Sequence, residues 1–306
     1  MNMIKRFSLL AALVAVMFAF NACEEDSTGP SENETPGAPI NLMATSANET
    51  TVHLMWDAPG DLDVDLFQNY TVTYYPQGTG SDNAPEMDAD MAGVAFPVEN
   101  LDTDKVYTFE VVTNYTNGET STVASIDWAP AMRFDMVSAE TIKVYAHTSS
   151  FGSGLKLYDD LFMEPELMTV AGIADWNLAL DTKTTGEVNF GSASVTTYTG
   201  AATAIMSAEI SSVLYPADGL NDRFESESLE SQTFIQRVED LAAVSSGQKA
   251  GVVMYARVPN GDDYNYAKLF IKSNGNGGFL QGTGDDQYIE VTISYQANAN
   301  FPYAKK

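Results

Sequence analysis

From about residue 38 onward the chain runs in short stretches where apolar and polar side chains alternate, separated by clusters of Gly, Pro, Asn, Asp and Ser. Val52-His53-Leu54-Met55-Trp56, Tyr70-Thr71-Val72-Thr73-Tyr74 and Tyr107-Thr108-Phe109-Glu110-Val111 repeat with a period of two and are rich in aromatic and β-branched residues. Successive side chains of an extended chain point to opposite faces. The pattern therefore predicts half-buried strands, with Val52, Leu54 and Trp56 inward from one and Tyr70, Val72 and Tyr74 inward from the next. Further along, Thr141–Tyr145, Asp175–Leu180, Gly251–Val258, Tyr264–Lys272 and Tyr288–Tyr295 read as strands, the last with Ile289, Val291, Ile293 and Tyr295 on one face. Pro259-Asn260-Gly261-Asp262-Asp263 predicts a turn between two of them. One stretch departs from period two. Between Leu229 and Val244, Phe234, Val238 and Leu241 fall at helical spacing, and Ser245-Ser246-Gly247 closes the run, which predicts one surface helix. The expected fold class is mainly β: an N-terminal immunoglobulin-like β-sandwich over residues 38–130, then a second antiparallel β-rich domain over 131–306 with one surface helix.

Several spaced motifs sharpen the first of these. Pro39-x-x-Leu42 precedes the Val52-x-Leu54-x-Trp56-x-x-Pro59 run, and Tyr70-x-Val72-x-Tyr74 follows. Leu101 is then followed six residues later by Tyr107, with Phe109 and Val111 behind it. In this order the residues resemble a fibronectin type III domain, including its core tryptophan and its tyrosine corner. The resemblance implies a seven-stranded sandwich used for adhesion, spacing or protein recognition, and a fold by itself does not fix a function. In the second half, Asp175-Trp176-Asn177-Leu178-Ala179, Tyr266-Ala267-Lys268-Leu269 and Ile293-Ser294-Tyr295-Gln296 resemble parts of the HmuY-like surface lipoproteins of Bacteroidota. That family is β-rich, and some members hold haem through two axial histidines. Here the two histidines of the chain, His53 and His147, fall in different halves, so no histidine pair for iron lies within the second domain.

The first residues carry a different kind of signal. Lys5-Arg6 is followed by an apolar run of 14 residues from Phe7 to Phe20, broken only by Ser8. A membrane-spanning helix needs roughly 20 apolar residues, so the run reads as a secretory leader over residues 1–22 that is removed. It ends at Ala22-Cys23, and Cys23 is the only cysteine of the chain. Phe20-Asn21-Ala22-Cys23 resembles a bacterial lipobox, which implies that Cys23 is diacylated and becomes the mature N-terminus, with two acyl chains for stable attachment. Residues 23–37 follow with acid, Pro and Gly and almost no apolar side chains, as expected of a disordered acidic tether. Acids directly after a lipidated cysteine resemble the surface-export signal of Bacteroidota-type lipoproteins. The implied location is the outer membrane, lipid-anchored and exposed at the cell surface; the alternative is retention at the inner membrane, which an acid beside the cysteine can imply in enteric bacteria.

Charge narrows the partners. The formal net charge is −27, and removal of the leader takes away Lys5 and Arg6 and makes the chain more acidic still. Such a field repels nucleic acid, and no basic cluster offers a phosphate-binding face. The expected partners are a membrane, through the lipid, and a protein or carbohydrate ligand.

Candidate chemistry is sparse. Asp61-Leu62-Asp63-Val64-Asp65 begins like a calcium loop, but Leu66 stands where the loop needs glycine and Val72 where it needs a bidentate glutamate. Asp61, Asp63 and Asp65 are thus either cation ligands or a solvated acidic loop, as are Glu86, Asp88 and Asp90. Tyr255, Tyr264 and Tyr266, with Phe270, either stack on a sugar ring or pack a sheet. A cysteine nucleophile is excluded by the place of Cys23. His147 has no G-x-S-x-G to serve, and two distant histidines do not make a zinc site. No cofactor is expected. The sequence thus points to a non-enzymatic binding or adhesion module on the cell surface. The alternatives are a nutrient-capture lipoprotein for haem or carbohydrate, working with an outer-membrane transporter, and, less favoured, a glycosidase or peptidase.

Overall fold

The computed structural model describes residues 34–134, 141–158, 166–184, 187–198, 208–298 and 304–305. The leader, Cys23 and most of the tether lie outside the described residues.

The alternating stretches of the first part become seven strands: β1 (Ile40–Asn48), β2 (Thr51–Asp57), β3 (Phe67–Pro76), β4 (Glu86–Ala89), β5 (Phe96–Val98), β6 (Tyr107–Tyr115) and β7 (Ala124–Trp128). β1, β2 and β5 make one sheet, and β7, β6, β3 and β4 the other. Period two survives in β6, whose residues alternate between buried and half-buried along the whole strand. Val52, Leu54 and Trp56 point inward from β2 and Tyr70 and Val72 from β3, all at most 1% exposed. Tyr74 packs against the same core from its margin. The Trp56 indole meets the Tyr70 ring edge-on at 5.5 Å between centroids, the arrangement that the aromatic quadrupole favours. At the corner before β6, the Asp102 backbone N–H donates to the Tyr107 hydroxyl at 3.0 Å. The tyrosine-corner motif thus corresponds to a real tether between loop and strand.

The remaining strands are β8 (Met132–Arg133), β9 (Ile142–Tyr145), β10 (Gly154–Lys156), β11 (Glu166–Met168), β12 (Leu178–Asp181), β13 (Asn189–Ser192), β14 (Glu209–Ser211), β15 (Tyr215–Ala217), β16 (Phe234–Ile235), β17 (Arg237–Val238), β18 (Gly251–Asn260), β19 (Asp263–Lys272), β20 (Tyr288–Tyr295) and β21 (Ala304–Lys305). An eight-stranded sheet runs β16-β14-β18-β19-β20-β8, with β15 also on β18 and β9 also on β20. A five-stranded sheet, β11-β10-β12-β13-β17, accompanies it, and β21 adds to the outer edge of β7. The expected turn is tighter than its five residues: β18 and β19 pair out to Asn260 and Asp263, leaving Gly261-Asp262 as the loop. Gly261 takes φ +62°, a backbone shape that glycine adopts without a Cβ penalty.

The surface helix expected between Leu229 and Val244 does not form, and the described residues contain no α-helix. The segment instead makes 3-10 turns at Leu229–Ser231 and Leu241–Ala243, with β16 and β17 between them. Phe234 and Ile235 pair with β14, whereas Arg237 and Val238 pair with β13 in the other sheet. The backbone groups a helix would use internally are taken by two sheet edges, and tertiary pairing overrides a spacing that fits a helix only by coincidence.

β18 and β19 explain why the second half alternates less cleanly. Val252, Met254, Ala256 and Val258 of β18, with Ala267, Leu269 and Ile271 of β19, face a core shared with residues of the five-stranded sheet such as Leu155, Leu178, Leu180 and Phe190. The opposite face carries Val253, Tyr255, Tyr266 and Phe270. These join Ala217, Leu220 and Leu229 in one apolar cluster continuous with Trp56, Val72 and Phe109 of the N-terminal sandwich. A sheet covered on both faces needs apolar side chains at every position, so its strands read as nearly unbroken runs. The charged exception is Lys268, in the middle of β19 and only 4% exposed.

Candidate functional site

The seam where the N-terminal sandwich meets the eight-stranded sheet holds a dense polar network. It begins with backbone. Ala44 of β1 exchanges N–H···O bonds of 2.9 and 3.0 Å with Glu225, so the loop after β15 lies on β1 as a one-residue bridge. β1 then continues toward Asn48, and the 3-10 turn Leu220–Asp222 packs beside it.

Charged side chains fasten the two sides. The Arg133 guanidinium donates to the backbone carbonyls of Ala47 at 2.8 Å and Ser46 at 3.2 Å and to the Asn221 side chain. Ser46 donates to the Ala129 carbonyl at 2.7 Å and accepts from the Trp128 indole at 2.9 Å. On the far side of β1, Lys268 Nζ donates to Thr45 Oγ1 at 2.8 Å and to the Arg223 carbonyl at 2.7 Å. Arg223 holds Glu225 through two N–H···O bonds of 2.6 and 3.0 Å, and the Tyr255 hydroxyl donates to the same carboxylate. The Arg223 guanidinium also lies 3.8 Å from the centre of the Tyr215 ring. A desolvated carboxylate held by a bidentate guanidinium and a phenol is among the stronger polar arrangements available to a protein interior.

This setting perturbs the ionisable groups. Burial, together with repulsion from Arg133 and Arg223, brings Lys268 down to about 7 despite the nearby acids Glu225 and Asp222. Burial and the Glu225 carboxylate push the Tyr255 phenol well above its ordinary range. A neutral amine still offers both hydrogen bonds that Lys268 makes, so its deprotonated form fits the site without loss of contacts.

Above this network opens a cleft of about 500 Å³. Its walls come from three separate parts of the chain: Asn48 at the end of β1, Arg133 and Phe134 just after the N-terminal sandwich, and the turn carrying Asn221 and Asp222. Leu220, Phe270 and Thr292 also line it, so an apolar floor meets a polar rim. Small-molecule sites commonly combine an apolar lining with a few polar groups in this way.

The residues singled out from the sequence have other fates. Tyr255 and Tyr266 are 1% and 4% exposed and pack the sheet, Tyr255 at the seam itself. They do not form a surface platform for a sugar, because the N-terminal sandwich and the loop after β15 cover that face of β18 and β19. Tyr264 is half-buried, and the Arg257 guanidinium already occupies one of its ring faces at 4.3 Å. Asp63 Oδ1 accepts from the backbone N–H of Asp65 at 2.9 Å, and the Asp63 N–H donates to the Tyr115 hydroxyl at 2.8 Å. Asp63 thus shapes its own turn, as aspartate often does. Among the described residues no three His, Cys, Asp or Glu side chains gather closely enough to hold a metal ion, Asp61, Asp63 and Asp65 included. Likewise among the described residues, no helix is long and apolar enough to cross a membrane. His53 sits on β2 and His147 just beyond β9, where its Nδ1 lies 3.0 Å from Thr182 Oγ1.

Sequence reasoning missed Arg133, Asn221, Glu225 and Lys268 as members of one site. Lys268 did carry a signal: a charge at the centre of the apolar run Tyr266-Ala267-Lys268-Leu269-Phe270-Ile271 requires a buried partner. Nothing in the spacing says that the partner is Thr45, 223 residues away.

Residues 37–127 match the family model of the fibronectin type III domain, and the N-terminal sandwich is such a domain. Among solved structures, the chain is similar to the third fibronectin III domain of a human protein, at 17% identity over 35% of this chain and 92% of that one, with a TM-score of 0.29. It is also similar to a β-sandwich protein from a computer-based redesign, at 20% identity over 30% of this chain and 92% of that one, with a TM-score of 0.25. A third similar structure, of a myokine, shows 14% identity over 30% of this chain and 95% of that one, with a TM-score of 0.24. No curated protein matches the chain.

Proposed function

We propose that this chain is a bacterial lipoprotein of Bacteroidota type, anchored in the outer membrane through diacylated Cys23 and displayed at the cell surface as a non-enzymatic binding protein. Its units are the leader (1–22), the acidic tether (23–37), the fibronectin type III domain (38–130) and the C-terminal β-rich domain (131–306), whose short motifs resemble HmuY-like lipoproteins. The observation that supports a binding role best is the cleft at the seam, built jointly by both domains and floored by buried apolar side chains. A fibronectin type III domain is typically a binding or adhesion module, and here it also forms one wall of that cleft through Asn48.

The anchor is tested by growing cells with a clickable palmitate analogue. The wild type takes up label and Cys23→Ala does not; equal labelling of both refutes the anchor. Protease added to intact cells then reports the side of display: loss of the full-length band supports surface exposure, and protection until the cells are lysed rejects it.

The cleft also favours a second reading within the same class. It is concave and about 500 Å³ in volume, which suits capture of a small nutrient better than adhesion to a flat protein surface. In that reading the protein passes its ligand to an outer-membrane transporter.

A further inference from the structure

The rim of the seam cleft is specific enough to name a ligand class. Its charged members are one guanidinium, Arg133, and one carboxylate, Asp222, so the walls carry no net charge of their own. Arg133 is committed to the carbonyls of Ser46 and Ala47, which leaves it as fixed wall rather than as a mobile anion clamp. The chain as a whole bears a formal −27, which opposes approach of an anion. A single carboxylate beside a guanidinium likewise gives a cation little to hold. A neutral ligand remains.

The other lining groups specify its surface. Asp222 is exposed at the rim and acts as a hydrogen-bond acceptor only. The Asn48 Oδ1 is engaged by the Thr50 backbone and hydroxyl, so its amide nitrogen is the end left to act as a donor. Thr292, half-buried on β20, both donates and accepts. The half-buried Phe134, with Leu220 and Phe270 at 6% and 8% exposed, supplies the apolar part of the lining. A ligand matching this arrangement has hydroxyl groups around its edge and a C–H face to lay on the apolar floor. The volume of about 500 Å³ falls within the roughly 300–1,000 Å³ typical of small-ligand sites.

We propose that the cleft between the fibronectin type III domain and the C-terminal sheet binds a neutral saccharide of one or two rings, with Asp222, Asn48 and Thr292 taking its hydroxyls and the half-buried Phe134 its C–H face. None of Tyr255, Tyr264 and Tyr266 lines the cleft, although Phe270, grouped with them in the sequence, does, and the proposal rests on the binding role proposed above. It gives the fibronectin type III domain a direct part in ligand recognition, because without β1 the cleft has no second wall.

Saturation-transfer NMR on the full-length lipidated protein in detergent tests this with glucose, galactose, mannose, N-acetylglucosamine, maltose, cellobiose and xylobiose, and with glucuronate as the charged control. The expected result is transfer to the ring C–H protons of at least one neutral sugar. Asp222→Ala should weaken that sugar at least tenfold, Thr292→Val should weaken it measurably, and Tyr264→Ala should leave it unchanged, while all three keep the wild-type unfolding midpoint. Should Asp222→Ala lower that midpoint, the isosteric Asp222→Asn takes its place, and should Thr292→Val lower it, Thr292→Ala does, which likewise removes the hydroxyl. A flat response across the neutral sugars overturns the proposal, as does binding that survives the Asp222 substitution or a glucuronate signal equal to the best neutral sugar. Palmitate labelling and surface proteolysis read the display role independently. A flat sugar panel on a labelled, protease-accessible protein therefore defeats the saccharide site and leaves the lipoprotein standing.

Discussion

Lys268 offers the sharpest test of the seam. The perturbation is Lys268→Met, which keeps length and apolar stem and removes the amine. In the folded chain burial brings the amine from its ordinary 10.5 to about 7, and one pH unit corresponds to about 1.4 kcal/mol, so holding the charged form inside costs roughly 5 kcal/mol. The sign follows from where the proton sits. Below about pH 7 the amine is charged in both states and the full penalty weighs on the folded one. Between about 7 and 10.5 the unfolded chain keeps the proton and the folded chain does not, so stability rises with pH by about 1.4 kcal/mol per unit. Other groups leave a clean window. His53 is shifted below its ordinary 6.5 by burial, so its effect is complete by pH 7.5. Tyr75, Tyr198 and Tyr266 are pushed up to about 12 and destabilise the fold only above about pH 10, once the unfolded phenols ionise. Urea unfolding at pH 7.5, 8.5 and 9.5 is the assay. The wild type should gain roughly 2–3 kcal/mol across that range relative to Lys268→Met. The variant leaves Thr45 Oγ1 and the Arg223 carbonyl without the Nζ donor, an offset of about 1 kcal/mol each that does not change with pH. Parallel stability profiles for the two proteins would refute the reasoning, because a buried amine titrating near neutrality cannot be silent.

Two further changes probe the fold on either side of the seam. Tyr107→Phe deprives the Asp102 N–H of its acceptor at the corner before β6 and should lower stability by roughly 1–2 kcal/mol in denaturant titration, with no effect on the pH slope. In Gly154→Ala the new Cβ would sit 1.9 Å from ring atoms of the fully buried Trp176. A loss of roughly 1–3 kcal/mol and a red-shifted tryptophan emission are expected, and an unshifted spectrum with wild-type stability would show that the packing there is looser than described.

Local pattern carried much of this protein into view. The V-x-L-x-W and Y-x-V-x-Y runs gave strand, face and core together, because in a sheet with one covered face the period of two is the direct imprint of burial. The turn between β18 and β19 and the apolar face of β20 were legible for the same reason, and Leu101 with Tyr107 marked a corner whose hydrogen bond spans only five residues. The stretch after Leu229 was not legible, since residues that serve as edge strands to two different sheets obey pairing partners far along the chain rather than a local period. Tyr255 and Tyr266 were readable as sheet aromatics but not as members of a covered face. Whether that face meets solvent or another layer is decided by where the N-terminal sandwich packs.

The sequence by itself determined the strands with a clean period of two, the N-terminal sandwich and a strongly acidic net charge, because these follow from neighbouring residues and composition. Only the tertiary structure decided that Lys268 reaches Thr45, that Glu225 bridges Ala44, and that Asn48, Asp222 and Thr292 share one cleft. Those residues lie scores to hundreds of positions apart, and contacts at such separation arise from the packing of whole sheets, which no local spacing encodes.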